Sequence, residues 1–469
     1  MNAGQAARIT REYTERRNSM MNFDVKGSLT LKILFTGFLA MVLMIPLGMV
    51  DSVIRERQNR RNEAVNEVSS KWGHPQTIAG PVLVVPYRFT YTEDQDGKKV
   101  THVTIKNACF LPESLRVKGR LNPERRSRGL YEVILYSLKD LSISGKFNRP
   151  DPSRLNIPAD AMLWERAYLA VGIPDTRGIQ KDVKLVWNGR EISFLPGVKD
   201  AGVVASGIHA PLPGLRDRSA RTINYAMNID LRGSSALNFS PLGKDTLVEL
   251  DSSWPHPSFT GAYLPDRHRV GDDGFTAKWN VSYFGRNIPQ EFIQGESANP
   301  TDNASFGVRL FVPVDFYQKC ERAVKYGFLF ITLTFLAFFL FELFNRLAIH
   351  PLQYAMVGFA MSVFYLLFLA LSEHVGFFAS YLLSSLSIMG LITGYCVKVL
   401  KTRKRAGYMF GLLLGLYSFL YVLLENEDYA LLLGSLAIFA ILAAVMYLTR
   451  NVDWYRIRLG NGTAATDAG

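Results

Sequence analysis

The stretch LTLKILFTGFLAMVLMIPLGMV, residues 29–50, decides the architecture. It is apolar apart from Lys32. At about 1.5 Å of rise per residue, a helix of this length crosses a hydrocarbon core of about 30 Å. It is too long for a cleaved signal peptide, and Pro46-Leu47-Gly48-Met49-Val50-Asp51 offers no small-x-small cleavage site. An uncleaved anchor is expected, preceded by a basic segment at residues 1–28.

Beyond the anchor, residues 51–72 place Val65, Val68 and Trp72 at helical spacing among charges, which predicts a juxtamembrane helix. From residue 73 the period changes from helix to strand. Phe89 and Tyr91 alternate ahead of Asp96-Gly97, and Val103 and Ile105 follow, as in a hairpin. Val183, Leu185 and Trp187 lead into Asn188-Gly189, both tolerant of positive φ, which favours a type I′ turn before Ile192 and Phe194. Unbroken alternation runs through Ile223, Tyr225, Met227, Ile229 and Leu231, and again through Phe275, Ala277, Trp279, Val281 and Tyr283. Phe306, Val308, Leu310 and Val312 make a last strand. Hairpins at such spacing, with Pro and Gly between them, predict a β-rich domain over 73–325, built as a sandwich or a large antiparallel sheet.

Five more apolar segments follow, at about 326–344, 352–371, 375–397, 407–424 and 429–448, and a tail occupies 449–469. The expected fold is an α+β membrane protein with an N-terminal anchor helix, a large β-rich periplasmic domain and a C-terminal bundle of five transmembrane helices. Six spans put both termini on one side, and the short loops choose the side, since basic residues are retained in the cytoplasm. Lys398, Lys401, Arg403, Lys404 and Arg405 join the fourth and fifth spans, and Arg450, Arg456 and Arg458 follow the sixth. The opposite loops read Ser372-Glu373-His374 and Glu425-Asn426-Glu427-Asp428, without Lys or Arg. This places both termini in the cytoplasm and the β-rich domain outside the inner membrane, in the periplasm of a Gram-negative cell.

Much of the net charge of +12 over 469 residues falls beside apolar segments, where it reads as an orientation signal, and no nucleic-acid-binding motif accompanies it. The three cysteines, Cys109, Cys320 and Cys396, show no metal spacing. No GxGxxG, Walker loop, GxSxG elbow or HExxH helix is present, and no catalytic residue, metal or cofactor is expected.

A few polar residues remain as candidates. Trp254-Pro255-His256-Pro257, with His268 and Asp251 nearby, reads as a Pro-fixed loop with its Trp packed on the sheet, against a metal or carbohydrate site. Glu342 ends an apolar span and is a functional candidate by default, unless it pairs with Arg346 four residues on. Glu373, His374 and residues 425–428 read as solvated loop charges, against a cation or proton site. Gly407, Gly411 and Gly415, and Gly390 with Gly394, form small faces that pack helices within the chain or between chains.

Four segments in order, GHPQTIAGPVLVVPY at 73–87, WPHPSF at 254–259, FYLLFLALSEH at 364–374 and LTRNVDWY at 448–455, resemble the CreD inner-membrane proteins. The likeness spans about residues 29–458. The resemblance implies a Gram-negative inner-membrane protein linked to envelope integrity and to tolerance of envelope-directed agents such as colicins, expressed under a two-component system. It implies no known reaction. The expected partners are the lipid bilayer, a periplasmic or envelope protein, and a second copy through the small-residue faces. Three functions compete: a non-enzymatic envelope protein whose β domain binds a partner, a transporter or channel through the bundle, and a membrane enzyme acting on lipid or peptidoglycan.

Overall fold

The computed structural model describes residues 29–452, except 96–97, 200–203, 214, 216–220, 287, 296–303, 312–315, 346 and 348. The chain divides into two compact units, residues 1–59 with 315–469, and residues 60–314.

The first unit is helical. The anchor region forms α1 (Leu29–Val42) and α2 (Met44–Trp72), broken at Leu43. Pro46 causes the break, because it has no N–H to return to the carbonyl of Val42. Helix α2 then runs through the segment expected as a juxtamembrane helix without a second interruption. After the β-rich unit come α3 (Phe316–Asn345), α4 (Pro351–Val375), α5 (Phe377–Val399), α6 (Arg403–Glu425) and α7 (Ala430–Thr449). With α1 and α2 taken together, six segments are long and apolar enough to cross a bilayer. Helix α3 begins ahead of Tyr326, where hydropathy starts the span, and its early turns carry Lys319, Arg322 and Lys325.

Helix α4 packs against α3 and α5, α5 against α6, and α1 against both α3 and α4. Phe364 sits in an aromatic core with Tyr417 at 4.8 Å, Tyr381 at 5.7 Å and Phe368 at 5.8 Å between ring centres. Two glycines permit the close approaches. A Cβ on Gly358 would stand 2.2 Å from Leu43 Cδ1 and 2.8 Å from the Phe335 ring, and one on Gly327 would meet Leu47 at 3.0 Å. The stripes Gly390, Gly394 and Gly407, Gly411, Gly415 differ, since a Cβ there meets nothing within 4 Å. Among the described residues, nothing presses on these glycines. Gly358→Val should therefore destabilise the solubilised protein by about 1–3 kcal/mol through overpacking. Gly411→Ala should not, and equal melting temperatures for the two variants would contradict this packing.

The second unit is a two-sheet sandwich. One sheet runs in the order Pro257–Gly261, Phe306–Leu310, Ala236–Ser240, Gln76–Gln95, Tyr168–Gly172, Gly207–Pro211, Leu195–Pro196. Lys98–Phe110 pairs along the far half of Gln76–Gln95, and Glu291–Ile293 pairs onto Lys98–Phe110. The other sheet runs Arg267–Gly271, Gly274–Ser282, Asp245–Ser252, Ser114–Arg128, Tyr131–Asn148, Thr222–Ser234, Lys184–Trp187, Arg190–Ser193. Neither sheet is wholly antiparallel: Gln76–Gln95 lies parallel to Ala236–Ser240, and Ser114–Arg128 parallel to Asp245–Ser252.

Leu83, Val85 and Phe239 of the first sheet meet Leu115, Tyr136 and Trp279 of the second in one core. Strand Thr222–Ser234 alternates as its sequence demands, with Ile223, Tyr225, Met227, Ile229 and Leu231 buried. Asn188 and Gly189 take φ of 47° and 83° between the paired Trp187 and Arg190, the signature of the expected type I′ turn. The run at residues 81–85 does not alternate because its strand is covered on both faces. Val82 and Val84 pack into a second cluster with Cys109, Tyr168 and Phe292.

The chain enters this sandwich through a polar joint. Trp72 Nε1 donates to the carbonyl of Tyr136 at 3.2 Å, and the guanidinium groups of Arg126 and Arg232 lie 4.5 and 4.1 Å from the indole. Buried Gln76 donates to the carbonyls of Asp175, at 3.0 Å, and Arg232, at 3.2 Å. The Asp175 carboxylate accepts from Arg177 Nε at 2.9 Å and from the His74 amide at 3.1 Å. The Arg177 guanidinium, aided by these amides, holds the Asp175 carboxyl below the usual carboxylate range. A depressed folded-state pKa contributes stability above the unfolded value, about 3.9, and loses it as pH falls through the folded value. Asp175→Asn should therefore melt lower than the parent at pH 7, and the gap should close towards pH 3. A gap independent of pH would remove the carboxylate from this role.

Candidate functional site

The strongest polar constellation in the helical unit gathers three elements. Lys32 lies in the first turn of α1, Glu342 in the last turn of α3 and Tyr354 in the first turn of α4. The ammonium of Lys32 forms an ion pair with Glu342 Oε1 and donates to the carbonyl of Ile349 at 2.8 Å. Tyr354 donates its hydroxyl to Glu342 Oε2 at 3.0 Å, and the Ile349 amide donates to Oε1 at 3.2 Å. Three donors thus converge on one carboxylate, whose side chain is 1 % exposed against 17 % for Lys32. Phe335 and Phe338 close around the Tyr354 ring at 5.6 and 5.8 Å.

Sequence reasoning singled out Glu342 and gave it Arg346 as a partner; Arg346 lies outside the described residues. The partner seen is Lys32, separated from Glu342 by 310 positions. Its signal was present as the lone charge in an otherwise apolar anchor, a residue too costly to leave unpaired in hydrocarbon. The chemistry of the group is that of a joint: an ion pair, a phenol and two main-chain groups that satisfy one another and fasten α1 to α3 and α4.

The other end of these helices carries a second set of charges. Tyr317 donates to Glu373 Oε1 at 3.1 Å, and Arg57 Nε lies 3.8 Å from the same oxygen. Lys319 pairs with Glu425 at 2.9 Å while lying 4.1 Å from the centre of the Phe377 ring. Arg322 pairs with Glu427 at 2.9 Å and donates to the carbonyl of Leu423 at 2.9 Å. The acidic loops are thus matched by basic residues of α2 and α3. Glu373 and Glu425 each turn to a cation rather than to one another. His374 is exposed beside them.

In the sandwich, Trp254 is buried in the main core. Its Nε1 donates to the carbonyls of His256 and Phe311, both at 3.1 Å, and Arg125 lies 4.9 Å from its ring centre. The imidazole of His256 is exposed, and that of His268 lies against Phe259 at 5.4 Å. Among the described residues no group of three His, Cys, Asp or Glu side chains is placed to hold a metal ion. All three cysteines are buried thiols.

Comparison with known proteins finds matches over most of the chain. The family described as "Inner membrane protein CreD" matches residues 28–455. Inner membrane protein CreD of Escherichia coli (strain K12) is 34% identical over 422 residues, covering 89% of this chain and 92% of that protein. A match of that extent takes in the anchor, the sandwich and the helices that follow, and the chain accordingly belongs to the CreD family of polytopic inner membrane proteins.

Proposed function

We propose that this protein supports envelope integrity without catalysis, as a membrane-anchored binding module. Both termini are cytoplasmic in this reading, and the periplasmic β domain engages an envelope protein. One observation carries it. Beyond residue 88, the two long strands Gln76–Gln95 and Lys98–Phe110 pair only with each other among the described residues, until Glu291–Ile293 joins at Phe110, Cys109 and Ala108. Their ribbon displays Tyr91, Val103 and Ile105 at 44 %, 63 % and 55 % exposure. An isolated two-stranded ribbon is marginal in water, and exposed apolar side chains on open strand edges suit strand-mediated recognition.

The helical unit favours the same reading. Its buried ion pair is consumed in a helix–helix joint rather than set along a polar path, which a transporter needs. The acids that a lipid- or peptidoglycan-directed enzyme would use at the membrane surface each hold a basic partner. The open glycine faces of α5 and α6 leave room for a helix of a second copy.

Val103→Asp with Ile105→Asp, on exposed positions of the full chain, tests the ribbon. In a deletion strain under envelope stress, the variant should accumulate as the parent does yet fail to restore tolerance. Full restoration would remove the ribbon as the contact surface.

A further inference from the structure

The geometry points to a second binding site in the β-rich unit, a cleft for a glycan that carries a carboxylate. The cleft encloses about 600 Å³ where the Lys184–Trp187 and Arg190–Ser193 hairpin of one sheet and the end of Gly207–Pro211 of the other leave the sandwich open. That volume lies within the range of small-molecule sites. Its floor is the protein core itself, through Trp187 and Ile223, both almost fully buried. Trp164 stands half-buried on the wall. Arg149, Asn188 and Arg190 are exposed at its rim.

Each feature narrows the ligand. The indole of half-buried Trp164 suits the C–H face of a pyranose ring, and the Asn188 amide suits its hydroxyls. The Arg190 guanidinium calls for an anion of planar, bidentate form, which a carboxylate supplies. Among the described residues, the acid lining the cleft, Glu191, is taken up by Lys184 at 3.1 Å, while Arg190 has no ion pair. Among the described residues, Arg190 is thus left to meet an anion. An acyl chain would instead need a wall free of these charged groups, so a lipid tail fits poorly.

The proposal rests on the reading that the β domain is the binding part of the protein. Full-length protein in neutral detergent would be titrated with the disaccharide N-acetylglucosaminyl-N-acetylmuramic acid, and with chitobiose as its uncharged counterpart, by calorimetry and tryptophan fluorescence. The acidic sugar should bind saturably and perturb the fluorescence, with chitobiose about tenfold weaker. Arg190→Ala, at an exposed turn, should weaken the acidic sugar by about tenfold or more, and Trp164→Ala comparably, at unchanged melting temperature for the former. No saturable binding, or equal binding by Arg190→Ala, overturns the site. An Arg190-dependent response to short-chain phosphatidylglycerol without one to the disaccharide overturns the ligand class. If Arg190→Ala binds no sugar differently from the parent while Val103→Asp with Ile105→Asp still abolishes stress tolerance, the cleft falls and the ribbon reading stands.

Discussion

Lys32→Met and Glu342→Met, made singly, should each cost about 3–5 kcal/mol, because either one leaves its former partner charged and enclosed. For Lys32→Met, the stranded group is the Glu342 carboxylate, 1 % exposed. For Glu342→Met, the loss extends to the Tyr354 hydroxyl and the Ile349 amide, whose common acceptor disappears. Made together, the two substitutions should recover the part of the loss due to the stranded charge, while the Tyr354 hydroxyl and the Ile349 amide, still without their acceptor, keep the double variant below the parent. Glu342→Gln, which keeps an acceptor for the phenol and the amide, should fall between. Steady-state accumulation and melting temperature in detergent measure this, and additive losses in the double variant would contradict the joint. The same double variant also separates the functional readings. A structural joint predicts restored envelope tolerance wherever the protein accumulates. A proton or ion path through Glu342 predicts a protein that is present and inactive.

The physics of each misreading and each success is specific. Hydropathy located the six helical segments that, among the described residues, are long and apolar enough to cross a membrane, because twenty apolar residues in succession have few soluble alternatives. Period-two alternation located strands such as Thr222–Ser234, because one face is buried and the other wet. The run at residues 81–85 hid its face assignment, since both faces are covered and alternation vanishes. Strand order and the two parallel pairs were not legible either. They bring residue 76 beside residue 237 and residue 114 beside residue 245, pairings that no local pattern encodes. The same holds for Lys32 and Glu342. Each announced itself as a misplaced charge, yet the partner was set by the packing of α1 on α3.

Glycine spacing points to room on a helix face and not to its occupant. The GxxxG-like stripes advertise a face on which another helix has room, without saying that this chain fills it. Gly327 and Gly358 have no second glycine four residues away, and they are the positions where Leu47 and Leu43 press against the helix surface. What matters is the side chain opposite, and sequence periodicity does not report it.

Trp254→Ala should destabilise the sandwich by about 3–5 kcal/mol, the cost of emptying a fully packed aromatic site. The segment reads in sequence as a Pro-fixed loop with its Trp packed on the sheet, against a metal or carbohydrate site, and Trp254 lies in the sandwich core with its polar atom engaged. The indole N–H is shared between the carbonyls of His256 and Phe311, and the His256 carbonyl also accepts the Phe311 amide at 3.1 Å. The loop is thereby tied to the chain just past the strand Phe306–Leu310. Trp254→Phe keeps most of the ring and loses both bonds from its N–H, so about 1–2 kcal/mol is expected. His256 contributes through its main chain while its imidazole stays in solvent, and His256→Ala should change stability by less than about 0.5 kcal/mol. The ordering Ala at 254, then Phe at 254, then Ala at 256 can be read from thermal melts of the full-length protein. A His256→Ala variant that melts like the parent but no longer supports envelope tolerance would reverse the assignment, making the imidazole the group that matters.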